Sequence, residues 1–174
     1  MRNWLTREAR GPLEHTLLVC ITLITMFALA IVAASELPYT VPIDPVLFGY
    51  EHGREYYTLI ICVYFAIVLC EEIFFCALPI AIACAVNRTW CTALVLTAFA
   101  ITFGFYPVHT VFPFEAKLVL VLCRGLLLFL FIKMGGWSVT IKWKALCVVV
   151  IVHYATGMLA FALMAIKNLL NVFF

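Results

Sequence analysis

The chain has 174 residues, 67% of them hydrophobic and 11% charged, with a formal net charge of +2 and a mean hydropathy of +1.16. A soluble domain carries about one quarter charged residues, so this balance excludes a water-soluble globular protein, and the small charge, without a basic patch, excludes a nucleic-acid partner. The predicted class is an all-α polytopic membrane protein, one integral membrane domain over residues 1–174 with about five transmembrane helices in a lipid bilayer.

The first apolar run, 16–34, follows Arg2, Arg7 and Arg10. It exceeds the usual 7–15-residue core of a signal peptide, and "VAAS" is a weak cleavage cue, so it is expected to stay as a first helix. The loop 35–55 holds three prolines and several aromatics and reads as an ordered cap or interfacial segment. The second run, 56–86, reaches about 45 Å as a helix and therefore requires tilt, a break near Pro79 or an extension beyond the bilayer. Three further spans follow at 92–112, 117–134 and 144–166, the first of these with Pro107 near its far end and Pro113 just beyond it. The glycines of "MGGWS", Met134 to Ser138, suit a sharp reversal before the last span.

Arginines before the first span and acids in the loop after it (Glu36, Asp44, Glu51, Glu55) place the N-terminus in the cytoplasm. Alternation then puts Arg88, Lys133, Lys142 and Lys144 inside, consistent with the positive-inside tendency, and leaves the "NRT" sequon at Asn87 on the cytoplasmic side. The eight cysteines lie almost wholly inside the apolar runs with no CxxC or zinc-ligand spacing, so neither disulfides nor a structural metal is expected, and most serve as small apolar fillers.

Five ionisable residues sit well inside these spans, away from the lysines at their ends: Glu71, Glu72, His109, Arg124 and His153. Each charged group at the bilayer centre costs about 2.5–3.5 kcal/mol on insertion scales, so such groups face the bundle interior and mark function. Adjacent helical positions diverge by about 100°, so Glu71 and Glu72 require separate explanations. A buried carboxyl beside a second one is suited to general-base work near neutral pH. Pro107 and Pro113 distort the chain around His109, and Ala155, Thr156 and Gly157 after His153 admit a close neighbour or a substrate. A lone intramembrane histidine can equally serve as an interhelical hydrogen-bonder and Arg124 as a snorkelling side chain, but two acids and two histidines on three spans favour a shared polar site.

In order and spacing, "EEIFF" from Glu71, "FYPVH" from Phe105 to His109, and His153 in the last span resemble the EExxxR, FxxxH and HxxxN series of the CAAX protease and bacteriocin-processing family of intramembrane proteases. "RGLLLFLFIKMGGWSV", Arg124 to Val139, resembles the helix and turn that precede the family's last motif, and the likeness covers about residues 60–165. The resemblance implies a glutamate-dependent peptidase without a metal or other cofactor. Its catalytic set would be Glu71, Glu72, His109 and His153: Glu71 and His109 activate water, and His153 supports the oxyanion. Phe105 belongs to the second motif. The chain departs from the pattern at Cys76, where an arginine is expected, and at Gly157, where an asparagine is expected. Arg124 is therefore expected to replace the missing partner of Glu72, and Thr156, Asn168 or a backbone amide to cover for the asparagine.

The substrate implied is a membrane-anchored or secreted peptide reached from the exoplasmic half of a bacterial or archaeal plasma membrane. Three rival readings remain: a glutamate and histidine metal site assembled from separate helices, a Cys123, Arg124 and His153 transpeptidase resembling membrane sortases, and a non-catalytic immunity or partner-binding protein of the same fold. Aromatics such as Phe74, Phe75, Phe103, Phe105 and Phe112 read as packing.

Overall fold

The structure, a computed structural model, describes residues 8–36, 54–86, 89–106, 109 and 112–173. Residues 37–53 of the expected cap at 35–55 and the sequon residue Asn87 lie outside the described residues, as does the side chain of Asn168. Every element is helical: α1 (Gly11–Glu36), α2 (Arg54–Glu72), a π-helical turn (Ile73–Ala77), α3 (Leu78–Val86), α4 (Thr89–Gly104), α5 (Phe114–Phe131), a second π-helical turn (Ile132–Gly136) and α6 (Trp143–Phe173). An apolar medium leaves backbone groups no partner outside the chain, and helices satisfy them internally. Among the described residues, four helical stretches are long and apolar enough to cross a membrane: Gly11–Val32, Ile61–Val86, Phe114–Gly136 and Trp143–Leu163. Trp90–Gly104 is a shorter apolar helix. The chain is a multi-pass membrane protein.

The long second run does not break at Pro79. α2 passes through the π turn directly into α3, with the Leu78 N–H donating to the carbonyl of Ile73, five residues back. Proline has no N–H to offer the preceding turn, and a wide π turn just before it absorbs that defect without ending the helix. The third run is shorter than expected. The helix predicted over 92–112 stops at Gly104, and the following chain turns, with the N–H of Tyr106 on the Phe103 carbonyl and that of His109 on the Tyr106 carbonyl. Two causes act together. Pro107 cannot continue the ladder, and Gly104 lies so close to α5 that a side chain there would collide with Val121 and the Lys117 carbonyl.

α5 is the most enclosed of the spanning helices and packs against α1, α4 and α6. Its inward face, Cys123, Arg124, Leu127, Leu130 and Phe131, meets Val68, Ile80, Leu146 and Val149 in the core. The helix ends as the glycines require: Gly135 is left-handed (φ 86°), and a side chain on Gly136 would strike the Phe131 ring. The N-terminal segment closes this end, its Ala9 N–H donating to the Lys133 carbonyl at 2.9 Å. α6 then runs back along α1 and α2. This return brings the polar residues of α2, α5 and α6 to one place.

Candidate functional site

The last residue of α2, Glu72, points into the core with 0% of its side chain exposed, and Arg124 reaches it from the middle of α5, also at 0%. Arg124 Nη1 donates to Glu72 Oε1 at 2.7 Å and approaches the Cys76 sulfur at 3.6 Å. The expected pairing of Glu72 with Arg124 is therefore present, and the guanidinium lies beside Cys76, the position where the resemblance leads one to expect an arginine on α2's own continuation. The guanidinium carbon stands 3.8 Å from the Phe103 ring centroid and 5.5 Å from that of Phe75. The ring faces give the cation a favourable electrostatic contact that water would otherwise supply. Arg124 Nε and Nη2 and Glu72 Oε2 are buried without a hydrogen-bond partner among the described residues.

The second group on the same Glu72 oxygen is His153 of α6, whose Nδ1 is 2.6 Å from Oε1. A carboxylate already receiving an arginine N–H accepts only, so we assign the proton to His153 Nδ1. In the neutral ring, Nε2 then carries the lone pair. That nitrogen faces Glu71 Oε2 at 3.8 Å, too long for a direct hydrogen bond. Burial grades outward across the cluster: nothing of Glu72 and Arg124 is exposed, against 15% of the His153 side chain and 21% of that of Glu71. The inner pair is a fixed, charge-balanced anchor, and the outer pair is open to a reactant. The divergence of neighbouring helical positions produces this split, one glutamate turned inward and the other to the seam between α2 and α6.

His109 is placed differently from expectation. It occupies the turn after α4, where its Nδ1–H donates to the Phe103 carbonyl at 2.8 Å and its ring stacks on Phe112. The Phe103 ring stands edge-on to both imidazoles, with centroids 5.1 Å from His109 and 6.2 Å from His153. The neighbour of Glu71 is thus His153. Burial holds the His109 imidazole below its ordinary range, so it is neutral at pH 7.

Three expected supporting residues make other contacts than those expected. The Thr156 hydroxyl donates to the Val152 carbonyl one turn back on its own helix, which spends its hydrogen on α6. Phe105 is exposed beside Phe114; the ring at the site is Phe103, two residues earlier. Gly157 admits the side chain of Tyr64, whose hydroxyl sits where a Cβ of residue 157 would be. The sequence reading missed Tyr64 altogether and set Phe75 and Phe103 aside as packing. A tyrosine seven residues before Glu71 lies on the same helical face, and that spacing was the available signal.

Among the described residues, no group of three or more His, Cys, Asp or Glu side chains is arranged to hold a metal ion. Cys123 is buried and Cys70 exposed. No protein-family model matches the chain, and no curated protein or solved structure is similar enough to it to match.

Proposed function

We propose that the chain is a glutamate-dependent intramembrane peptidase, a divergent relative of the CAAX protease and bacteriocin-processing family, that hydrolyses a peptide bond of a membrane-anchored or secreted polypeptide. The observation that carries this reading is the position of His153: Nδ1 anchored on a buried, arginine-paired Glu72 and Nε2 turned to the accessible Glu71. A base must be oriented and must meet the water it deprotonates. Here the anchor fixes the imidazole tautomer, as the buried aspartate does for the histidine of a Ser-His-Asp triad.

In the proposed reaction, water held between Glu71 and His153 gives a proton to this pair as its oxygen bonds to the scissile carbonyl carbon. The resulting tetrahedral oxyanion then collapses. The carbon–nitrogen bond breaks, the proton passes to the departing amine, and a carboxylic acid and an amine result. His153 takes the role beside Glu71 that the resemblance gives to His109, and His109 braces Phe103, the ring under Arg124. The charge asymmetry of the loops supports a cytoplasmic N-terminus.

Candidate membrane and secreted peptides co-expressed with the wild-type chain and with Glu71→Gln test the reading. Mass spectrometry should find a truncated product that the variant does not make. Identical peptide profiles across the candidates would favour the partner-binding alternative.

A further inference from the structure

Water adding to a peptide carbonyl puts negative charge on its oxygen, and a positioned donor there is usually the largest electrostatic contribution to such catalysis. His153 does not supply it, because its Nδ1–H is committed to Glu72 and its Nε2 presents a lone pair to Glu71. The Thr156 hydrogen is committed to Val152. Arg124 has spare N–H groups, but none of its side chain is exposed and its guanidinium is packed over Phe103, where no peptide reaches it.

Tyr64 offers what these residues do not. It precedes Glu71 by seven residues on α2, two helical turns, which brings it back to within about 20° of the same face. Across the seam, Gly157 follows His153 by four residues, one turn along α6. Glu71 faces His153, and Tyr64 reaches Gly157 between the same two helices, its long side chain making up the difference between about 10 Å of rise along α2 and about 6 Å along α6. A Cβ on Gly157 would coincide with the Tyr64 hydroxyl, so the glycine makes the room that the phenol fills. Tyr154 and Phe161 hold the ring from α6, with centroids 5.4 and 5.2 Å away. A phenol fixed by its ring presents its O–H with little freedom left to lose, which is the preorganisation an oxyanion donor needs.

We infer that the Tyr64 hydroxyl, seated against Gly157, donates the hydrogen bond that stabilises the oxyanion of a peptide lying extended in the α2–α6 seam. This rests on the peptidase reading and adds a catalytic residue to it. Tyr64 keeps its proton throughout. It lends a hydrogen bond as the carbonyl π electrons move onto oxygen and withdraws it when the carbonyl re-forms and the amine leaves.

The test uses purified full-length protein in lipid nanodiscs and a quenched fluorogenic peptide carrying the cleavage sequence found by mass spectrometry. Tyr64→Phe should lower kcat by about 10²–10³-fold, the loss that follows removal of one oxyanion donor, with KM little changed and the thermal midpoint and elution volume of the wild type. Gly157→Ala, which displaces the hydroxyl, should also lower kcat, and the double variant should be no slower than Tyr64→Phe, because both remove the same contact. Wild-type turnover by Tyr64→Phe, or losses that multiply in the double variant, would overturn the inference. Should Tyr64→Phe not elute as a folded protein, wild-type turnover by Gly157→Ala does so instead. Glu71→Gln separates the two levels: if it turns over like wild type, the peptidase reading falls and the inference with it, whereas an inactive Glu71→Gln beside a fully active Tyr64→Phe removes the inference alone.

Discussion

Glu72 and Arg124, 52 residues apart in the chain, meet at 2.7 Å with neither side chain exposed. Two buried charges in an apolar bundle are tolerable only as a compensated pair, so each residue is a condition for the other. Removing one partner should therefore be much worse than removing both. Arg124→Leu should destabilise the protein by about 3–5 kcal/mol, whereas Glu72→Leu with Arg124→Leu, which leaves no buried charge and forfeits only the His153 hydrogen bond to Glu72, should lose no more than about 1–3 kcal/mol and be inactive. Unfolding midpoints in a fixed detergent give the comparison, and equal losses in the single and double variants would refute the mutual dependence.

His153 ties that pair to Glu71, so its replacement should act on both stability and chemistry. His153→Phe removes a charge-assisted hydrogen bond from a buried carboxylate and should cost about 1–3 kcal/mol. It should also abolish turnover, while Thr156→Val, which touches only the hydrogen bond to Val152 within its own helix, should keep it. Thermal midpoints and peptide cleavage, measured on the same preparations, separate the two effects.

The acid limb of stability should depend on His109, which lies in the turn after α4, outside the spanning helices. Burial lowers its folded pKa, against a smaller opposing effect of the hydrogen bond to the Phe103 carbonyl. The unfolded chain therefore binds the proton more readily than the native one, and the contribution of this residue is complete above the ordinary histidine value of about 6.5 and is lost as pH falls below it. A pH titration of unfolding should show this loss in the wild type and a flatter curve in His109→Phe. Equal slopes would contradict the assignment.

The rival chemistries make opposite forecasts. A base formed by Glu71 and His153 needs no thiol, so Cys123→Ala should retain wild-type turnover, as should protein exhaustively dialysed against a chelator. A cysteine nucleophile predicts complete loss in the first case and a metal site in the second. Cleavage rates before and after each treatment decide between them.

Much of the architecture is legible in the residues, because hydropathy alone marks the membrane helices and the glycines of "MGGWS" mark the reversal after α5. The pairing of Glu72 with Arg124 is legible too: a lone intramembrane cation at matching depth is the natural partner for an acid that has lost its own. Other features were hidden for a physical reason. When most residues of a helix are apolar, periodicity does not say which face turns inward, so the spacing of Tyr64 from Glu71 does not reveal its contact with Gly157, and the stacking of Phe103 on Arg124 leaves no pattern along the chain. The early end of α4 and the π turn before Pro79 arise from local backbone compromises and close helix packing, which composition does not encode. The resemblance named Phe105 and His109 by spacing, but the turn at Gly104 carries Phe105 to the surface and brings Phe103 to the site.

The central claim is that Glu71, set against the anchored His153, activates water for attack on a peptide bond. Cleavage of the substrate peptide in water enriched in oxygen-18 tests it most directly. The wild-type protein should place one heavy oxygen in the new C-terminal carboxylate of the product, and Glu71→Gln, folded with the wild-type thermal midpoint, should form that labelled product at least about 10³-fold more slowly. Labelled product from Glu71→Gln at the wild-type rate would contradict the account.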